Sequence, residues 1–425
     1  MRSFNNVLVT GGAGFIGSNF VRYLLSRPDF RGRVVNLDLL TYAGNRENLI
    51  DVEAQYGEKK ALKAQAEGTR TQEMSQKNAT DIWANRVPHT PGIFPNNSSY
   101  LFVQGDIRDR SLVQRVFEEY QIDAVVHFAA ESHVDRSILG PEDFITTNVL
   151  GTFTLLEVAR AAWKGRYALE QPSTSSVKEQ KVPKETGVGQ DTRSVPSVLF
   201  HHISTDEVYG SLGESGYFTE TTPYDPRSPY SASKAGSDHL VMAYHHTYGL
   251  PVTLTNCSNN YGPYQFPEKL IPLMVLNMVE GKPLPVYGDG RNIRDWLYVE
   301  DHNAALWLVM QKGRVGEKYN IGGENEWENI RLLHRLIEIV AEETGKDPEE
   351  FRRLITYVKD RPGHDRRYAI DCSKIKQELG WRQSVSFDEG LRRTVRWYLE
   401  NRQWVDRVRS GAYRDWIRQN YEERK

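Results

Sequence analysis

The sequence is poor in cysteine and has no long apolar run. Its 425 residues include only two cysteines, Cys257 and Cys372, which excludes a disulfide framework and a cysteine zinc site. We expect both to be buried thiols in a reducing compartment. No segment approaches the ~20 consecutive apolar residues of a transmembrane helix, and the N-terminus lacks the basic flank and long apolar core of a signal peptide. A cytoplasmic protein without a membrane partner is expected.

The sequence also has little net charge. Its formal net charge is −2, with 39% hydrophobic and 26% charged residues. This balance gives no electrostatic reason to expect a nucleic-acid partner or an anionic membrane. The length suffices to bury a core, in one large domain or two lobes. His133 and His364 are not spaced with other ligands as a metal site would require, so no metal is predicted.

Short β-branched runs alternate with helix-length amphipathic stretches in the first two-thirds of the chain. The runs at 6–10, 33–38, 100–106, 124–130 and 199–205 are typical of strands, and helical patterns follow, for example at 109–120 and 145–163. Continuous apolar strands with intervening helices predict a parallel sheet covered on both faces, the doubly wound α/β class. Ligands of that class bind at the carboxyl ends of the strands.

The stretch "VLVTGGAGFIGS" places Gly12-x-Gly14-x-x-Gly17 between a strand and a helix. Such glycines allow a tight turn and a close approach of backbone N–H groups to a pyrophosphate. Asp38 ends the next predicted strand, at the distance where an acidic residue accepts hydrogen bonds from an adenosine ribose. Because its charge would repel a 2′-phosphate, NAD is favoured over NADP. The alternative is a purely structural glycine turn.

A tyrosine and a lysine are spaced four residues apart in "YSASKAGSDHLVMAY", so Tyr230 and Lys234 share one helix face. A phenol is a poor base at neutral pH. A nearby ammonium favours the phenolate, which could take an alcohol proton during hydride transfer. This pattern is common on exposed helices, and the preceding dinucleotide motif makes the functional interpretation the stronger one.

The stretch "HHISTDEVYG" places two carboxylates, Asp206 and Glu207, directly after the hydroxyl of Thr205. Adjacent buried carboxylates are costly, but different environments can separate their pKa values and give one acid and one base. Because successive strand residues face opposite ways, the backbone must turn near 205–208 if both are to reach one substrate. The alternative is that one acid is a helix cap or ion-pair partner. The sequence alone does not assign the acid and the base.

These motifs resemble the extended short-chain dehydrogenase/reductases that act on nucleotide sugars. Within that group, "AAESHVDRSI", "STDEVYG", "NCSNNYGPYQFPEKLIP", "IRDWLYVEDH", "YNIGGENE" and "DRPGHDRRYAID" are similar to the dTDP-glucose 4,6-dehydratase family. The resemblance covers nearly the whole chain. It implies NAD as cofactor, dTDP-glucose as substrate, oxidation at C4, elimination of water across C5–C6 and return of hydride to C6. A homodimer that pairs the helix after 145 with the Tyr–Lys helix is also implied.

The resemblance assigns roles to individual residues. Thr205 contacts the sugar O4, Asp206 is the acid at C6, and Glu207 is the base at C5, beside Tyr230 and Lys234. The implied cofactor contacts are Gly11, Gly12, Gly14, Phe15, Ile16, Gly17, Asp38, Leu39, Leu40, Thr41, Asp106, Ile107, Phe128, Ala129, Ala130, Glu131, Ser132, Thr147, Tyr230, Lys234 and Asn260. The implied substrate contacts are Ser132, Thr205, Asn259, Lys269, Leu270, Pro285, Val286, Tyr287, Arg294, Asn329, Asp360, Arg361, Pro362, Gly363 and His364.

The chain is expected to have two parts. Residues 1–255 are predicted to form an NAD-binding, Rossmann-like domain, and 256–425 mainly a smaller nucleotide-sugar-binding lobe with some elements returning to the sheet. Segments 51–98 and 165–197 depart from the family pattern. Their polar composition cannot bury a core, which predicts surface insertions that are partly helical or mobile. A partner-binding role is the less favoured alternative.

Three other functions fit part of the pattern. A nucleotide-sugar 4-epimerase needs hydride transfer and one acid–base group, and so has no use for the Asp206–Glu207 pair. A UDP-sugar dehydratase would need the same residues as a dTDP-sugar enzyme, and spacing does not separate the two. A non-catalytic NAD-binding scaffold would have little reason to keep the tyrosine, the lysine and both carboxylates together.

Overall fold

The computed structural model describes residues 1–57, 99–167, 197–360 and 363–409. The strands are β1 (Asn6–Thr10), β2 (Arg33–Asp38), β3 (Tyr100–Gln104), β4 (Ala124–His127), β5 (Leu199–Thr205), β6 (Val252–Cys257), β7 (Asn259–Tyr261), β8 (Leu284–Tyr287), β9 (Ile293–Tyr298), β10 (Glu317–Ile321), β11 (Glu326–Glu328) and β12 (Ile355–Val358). The helices are α1 (Phe15–Ser26), α2 (Ile50–Tyr56), α3 (Arg110–Tyr120), α4 (Val134–Leu139), α5 (Pro141–Phe144), α6 (Thr152–Ala162), α7 (Pro229–Tyr248), α8 (Leu270–Glu280), α9 (Val299–Lys312), α10 (Asn329–Thr344), α11 (Pro348–Arg352), α12 (Ser373–Leu379), α13 (Phe387–Glu400) and α14 (Arg402–Val408).

Seven strands form one parallel sheet, in the order β10-β6-β5-β4-β1-β2-β3. The predicted doubly wound α/β class is therefore confirmed. The strand order reverses between β1 and β4, and ligands of such sheets bind in the crevice outside the carboxyl ends of the strands at that point. All seven residues of β5 are buried, as expected for a central strand covered on both faces.

The predicted strands and helices exist, and the differences lie at their ends. The strands expected at 100–106 and 124–130 stop at Gln104 and His127, because the chain leaves the sheet there to form the crevice. The helix expected at 145–163 begins with a π-helical segment, Ile145–Gly151, before α6. Such segments are rare and are frequent at functional sites.

Residues beyond 255 supply both sheet strands and a separate core. Strand β6 crosses the predicted boundary, and β10 pairs with it in parallel. A second apolar core forms around α8, α10 and α13, with Leu276, Leu336 and Leu391 fully buried. Full burial of each such side chain stabilises the fold by about 1.5–3 kcal/mol. The division at 255 stays a prediction, while the return of elements to the sheet is observed.

The two polar segments fall mostly outside the described residues. The first begins within α2, where Val52 is buried, so residues 51–56 are helical. Residues 58–98 and 168–196, and the predicted substrate contacts Arg361 and Pro362, lie outside the described residues.

Candidate active site

The turn after β1 brings backbone atoms into close contact. Gly11 has a φ of +71°, and a Cβ there would lie 2.6 Å from the Ala129 nitrogen. A Cβ on Gly17 would lie 2.3 Å from the Gly11 carbonyl oxygen. Gly14 is the N-cap of α1 and gives it no side-chain hydrogen bond, so the first N–H groups of the helix remain available to an anionic ligand.

Asp38 stands beside this turn with its carboxylate fixed by two backbone donors. Its Oδ2 accepts from the Ala13 nitrogen at 2.9 Å and its Oδ1 from the Leu40 nitrogen at 2.8 Å. Burial raises the pKa of this carboxyl, and the two backbone hydrogen bonds oppose that shift. Each oxygen can accept a further hydrogen bond. The arrangement therefore fits a ribose diol and disfavours a 2′-phosphate.

A cavity of about 580 Å³ runs from the glycine turn across the carboxyl ends of β1, β4 and β5. That size lies within the range of cofactor and ligand pockets. At its outer end, Arg108 Nη2 lies 2.6 Å from Asp106 Oδ2 and lowers the pKa of that carboxyl, against the effect of burial. Asp106, a predicted cofactor contact, therefore lines the cavity as part of an ion pair.

The backbone turns at the end of β5, as the sequence requires. Residues Asp206–Tyr209 form a single 3₁₀ turn capped by Thr205, whose Oγ1 accepts from the Glu207 nitrogen at 3.2 Å. In a continued strand, Asp206 and Glu207 would point to opposite faces of the sheet. The turn ends the strand before them, so this alternation does not apply. Thr205, Asp206 and Glu207 consequently all line the same cavity.

The Asp206 carboxyl is almost fully buried, with 1% of its surface exposed. Burial raises its pKa well above the ordinary value, and the charges of Glu207 and Asp295 add to the shift. Arg294 and the Thr205 hydroxyl, which donates to Asp206 Oδ1 at 3.3 Å, oppose it. Among the described residues, Asp206 Oδ2 has no hydrogen-bond partner. This setting favours the protonated form of the carboxyl.

A capping box at Ser228 fixes the start of α7. The Ser228 hydroxyl accepts from the Ser231 nitrogen at 3.1 Å, and the Ser231 hydroxyl accepts from the Ser228 nitrogen at 3.0 Å. Tyr230 and Lys234 both point into the cavity from the first turns of this helix. The Lys234 ammonium donates to the Ile203 carbonyl oxygen at 2.8 Å, which fixes it against β5.

The protonation of the tyrosine differs from the simple expectation. Burial raises the pKa of Tyr230 well above its ordinary value, and the charge of Glu207 adds to that shift. Burial likewise lowers the pKa of Lys234, opposed by the charge of Asp238. Burial therefore disfavours the phenolate form of Tyr230 that the tyrosine–lysine spacing predicts.

A second cavity, of about 190 Å³, opens beside the first. The two cavities share Ser132, Glu207, Asn259, Asn260, Gln265, Glu268 and Lys269 as lining residues. Arg294 is 5% exposed and lies over the Tyr368 ring, 4.2 Å from its centroid. Among the described residues, the buried oxygens Asn259 Oδ1 and Asn329 Oδ1 lack hydrogen-bond partners. Such atoms in a cavity wall are what a polar ligand would satisfy.

The cavities bring together most of the predicted site residues. Of the predicted cofactor contacts, Gly12 and Leu40 do not line the large cavity, because Gly12 packs against Asn36 and Leu40 against the core. Of the described substrate contacts, Asp360 and Gly363 do not line either cavity. Asp360 instead lies 2.6 Å from His364 Nδ1, and His364 does line the second cavity.

Sequence reasoning missed several cavity residues. Glu268 and Gln265 line both cavities, and Cys257 and Ser258 line the larger one at the end of β6. Glu268 is 3% exposed, with Arg136 Nη2 3.6 Å from its Oε2. The sequence offers one signal for Glu268, because in "FPEKLIP" it directly precedes Lys269, a predicted substrate contact. The spatial neighbours of Glu268, such as Arg136, come from distant parts of the chain, so no local sequence pattern indicates the contact.

The chain is similar to a known family and to curated proteins. The sequence profile described as GDP-mannose 4,6 dehydratase matches residues 62–394. The dTDP-glucose 4,6-dehydratase of Salmonella typhimurium is 48% identical, over 98% of this chain and 99% of that protein. The dTDP-glucose 4,6-dehydratase of Xanthomonas campestris pv. campestris, strain B100, is 50% identical, over 96% of this chain and 97% of that protein.

Solved structures of related proteins share the fold. The dTDP-glucose 4,6-dehydratase of Streptomyces venezuelae, solved with NAD and dTDP, matches with a TM-score of 0.71 and 43% identity, covering 95% of this chain and 99% of that chain. The UDP-glucose 4-epimerase of Thermotoga maritima, solved with UDP-glucose, has a TM-score of 0.68 and only 26% identity. The match covers 93% of this chain and 99% of that chain.

Proposed function

The chain belongs to the dTDP-glucose 4,6-dehydratase family, and we propose that the Thr205–Glu207 turn and the Tyr230–Lys234 face of α7 carry its chemistry. The reaction converts dTDP-glucose to dTDP-4-dehydro-6-deoxy-glucose with loss of one water. NAD, which the glycine turn after β1 and Asp38 would hold, would supply the hydride acceptor for oxidation at C4 and the hydride donor at C6. The single observation that carries the assignment of residues is the convergence of both carboxylates, the tyrosine and the lysine on one cavity.

Tyr230 takes the proton of the C4 hydroxyl, and Lys234 stabilises the negative charge that results. Both groups line the cavity, and the 2.8 Å hydrogen bond from Lys234 to Ile203 fixes the ammonium. Thr205 lies at the same cavity wall, where its hydroxyl holds the sugar O4. Because burial raises the pKa of Tyr230, the tyrosine starts as a phenol and needs a positive environment when the alcohol proton is taken.

The elimination needs one proton donor and one base. Asp206 is the donor to the departing C6 hydroxyl, because burial and two neighbouring carboxylates raise its pKa. Glu207 is the base that removes the C5 proton, and its position in both cavities fits a contact with the sugar. The raised pKa of Asp206 supports this order of roles, which the spacing of the residues does not give.

The nucleotide diphosphate is held in the second cavity. Arg294 offers a planar guanidinium suited to phosphate oxygens, and Lys269 adds a positive charge where the cavities meet. The buried oxygens of Asn259 and Asn329 accept from polar groups of the ligand. His364, whose Nδ1 lies 2.6 Å from Asp360 Oδ1, closes the second cavity.

Turnover of dTDP-glucose is expected with NAD present only in catalytic amounts, because the hydride that leaves C4 returns to C6. The measurement follows the 4-keto product by its absorbance in alkali, together with reduced nicotinamide, for dTDP-glucose and UDP-glucose in parallel. We expect product without steady accumulation of reduced nicotinamide, and preference for the thymidine nucleotide. Reduced nicotinamide that accumulates in step with product would instead indicate an ordinary dehydrogenase.

We further propose a homodimer that buries an apolar surface around the π-helical segment. Five of the eleven large apolar side chains exposed among the described residues lie between Ile138 and Phe153. Ile145 is 50% exposed and Leu150 is 49% exposed. Such a concentration is typical of an interaction surface, and it coincides with the helix that the family resemblance implies for dimer pairing.

The double substitution Ile145→Glu with Leu150→Glu is expected to convert a dimer to a monomer, because charges would be buried at the subunit contact. Light scattering after size exclusion measures the change in mass. Ile50→Glu is the matched control, since Ile50 is 54% exposed on α2, away from this surface. A wild-type monomer, or a double variant that remains dimeric, would contradict the proposed surface.

We also infer a cytoplasmic location. Cys257 and Cys372 are buried and neither forms a disulfide, which fits a reducing compartment. No helix among the described residues is long and apolar enough to cross a bilayer.

A further inference from the structure

A buried carboxylate that the proposed mechanism does not use lies directly behind the catalytic lysine. Asp238 is one helical turn beyond Lys234 on α7 and is 1% exposed. Its Oδ2 accepts from the Ser204 hydroxyl at 2.8 Å and from the Tyr224 hydroxyl at 2.9 Å. A buried carboxylate is stable only with such partners.

The same carboxylate connects α7 to the catalytic turn. The Asn256 side-chain nitrogen on β6 donates both to Asp238 Oδ2 at 3.2 Å and to the Thr205 carbonyl oxygen at 3.1 Å. Ser204, the other link, directly precedes Thr205 in β5. Two short connections therefore join the helix that bears Tyr230 and Lys234 to the strand end that bears Thr205.

Several charged and titratable groups face Asp238. From β5, His202 Nε2 lies 3.2 Å from Oδ1, and burial lowers the pKa of this imidazole to about 4, so it is neutral near pH 7. Its ring is 5.2 Å from that of His127 on β4. In the described part of the chain, Asp238 also interacts electrostatically with Lys234 on its own helix, with Lys318 on β10, and with the phenols Tyr209 and Tyr224.

The charge of Asp238 persists despite its burial. Burial raises the pKa of its carboxyl, but the neighbouring His202, the charge of Lys234 and the hydrogen bond from Ser204 outweigh burial and hold that pKa below its usual value. A carboxylate at this position favours the ammonium form of Lys234, whose pKa burial would otherwise lower further.

We propose that Asp238 is a positioning residue, which keeps Lys234 positively charged and fixes the Thr205 turn against α7. This inference rests on the proposed function, because it assigns Asp238 to the support of the same site. It predicts two separable effects of substitution, one on the charge of the lysine and one on the geometry of the turn.

The effect of Asp238 on the charge of Lys234 is tested with Asp238→Asn. Loss of the carboxylate removes a charge that favours the ammonium, so the pKa of Lys234 is expected to fall by about one unit or more. The pKa is measured from the ¹³C shift of labelled lysine ε-carbons, with the Lys234 signal assigned by its absence in Lys234→Met. The alkaline limb of C4 oxidation in single turnover should move to lower pH by the same amount, while dTDP affinity is unchanged.

Asp123→Asn is the matched control. Asp123 is a buried carboxylate at the amino end of β4, opposite the site, where it accepts from the Asn5 and Asn6 nitrogens at 2.8 and 3.0 Å. This variant should keep the wild-type pKa of Lys234 and the wild-type pH profile. A folded Asp238→Asn protein with an unchanged Lys234 pKa overturns the proposal. The lysine titration needs no turnover, so failure of wild-type turnover would count against the proposed function alone.

Ser204→Ala tests whether Asp238 fixes the position of the Thr205 turn. It also tests the proposal if Asp238→Asn does not fold. It removes one link between the carboxylate and the Thr205 turn, while His202 and Lys234 still favour the charged form of Asp238. We expect C4 oxidation to slow several-fold with the pKa of Lys234 and dTDP binding unchanged. Wild-type oxidation in this variant would overturn the positioning role.

Discussion

Tyr230→Phe is expected to slow oxidation at C4 by roughly 10²–10⁴-fold, the usual contribution of a positioned acid or base. The substitution keeps the ring, which packs beside Phe144 at a centroid distance of 6.2 Å, and removes only the hydroxyl. Substrate binding should change little, because the nucleotide contacts lie in the second cavity. Single-turnover absorbance of reduced nicotinamide gives the oxidation rate, and a dTDP titration gives the affinity.

Tyr244→Phe makes the same change on the same helix outside the cavity. The Tyr244 hydroxyl donates to Glu157 at 2.8 Å, so its loss should leave the oxidation rate near that of the wild type. Near-normal turnover in Tyr230→Phe would show that another group takes the alcohol proton. A comparable loss in both variants would indicate a general effect on α7.

Asp206→Asn and Glu207→Gln are expected to stop the reaction after its first half. The amides preserve size and some hydrogen bonding but cannot give or take a proton as a carboxyl does. Each variant should still oxidise C4, so that reduced nicotinamide and a 4-keto-glucose nucleotide appear, while the 6-deoxy product falls by roughly 10²–10⁴-fold. Single turnover in D₂O, with absorbance and product mass followed together, measures both halves.

The two variants should differ in their isotope pattern. Glu207→Gln is expected to slow exchange of the C5 proton with solvent, whereas Asp206→Asn should mainly slow loss of the C6 hydroxyl. Glu214→Gln, at an exposed loop position, is the control for a glutamate-to-glutamine change near this turn. If both site variants lost C4 oxidation as completely as Tyr230→Phe, the carboxylates would have to act before elimination or through structure.

Local sequence patterns predicted the parts of the site that adjacent residues build. The prediction of the glycine turn and that of the Tyr230–Lys234 pair each depend on a spacing of a few residues. The prediction of Asp38 depends on its place at the end of the next strand. All of these residues except Gly12 line the larger cavity. The requirement for a turn after Thr205 also followed from strand geometry alone. Strand ends were less predictable, because the departure of β3 and β4 from the sheet depends on neighbouring strands.

The sequence by itself therefore determined the fold class and the main reactive groups, because local backbone geometry sets which side chains share a face. Only the tertiary structure decided their protonation and support. Burial raises the pKa of Asp206, and the charge of Asp295, from β9, adds to that of the adjacent Glu207 in raising it further. Asp238 shares α7 with Lys234, but the contacts that support its buried carboxylate come from β5, β6 and the loop before α7. Desolvation and long-range charge depend on packing between distant segments, which no spacing along the chain records.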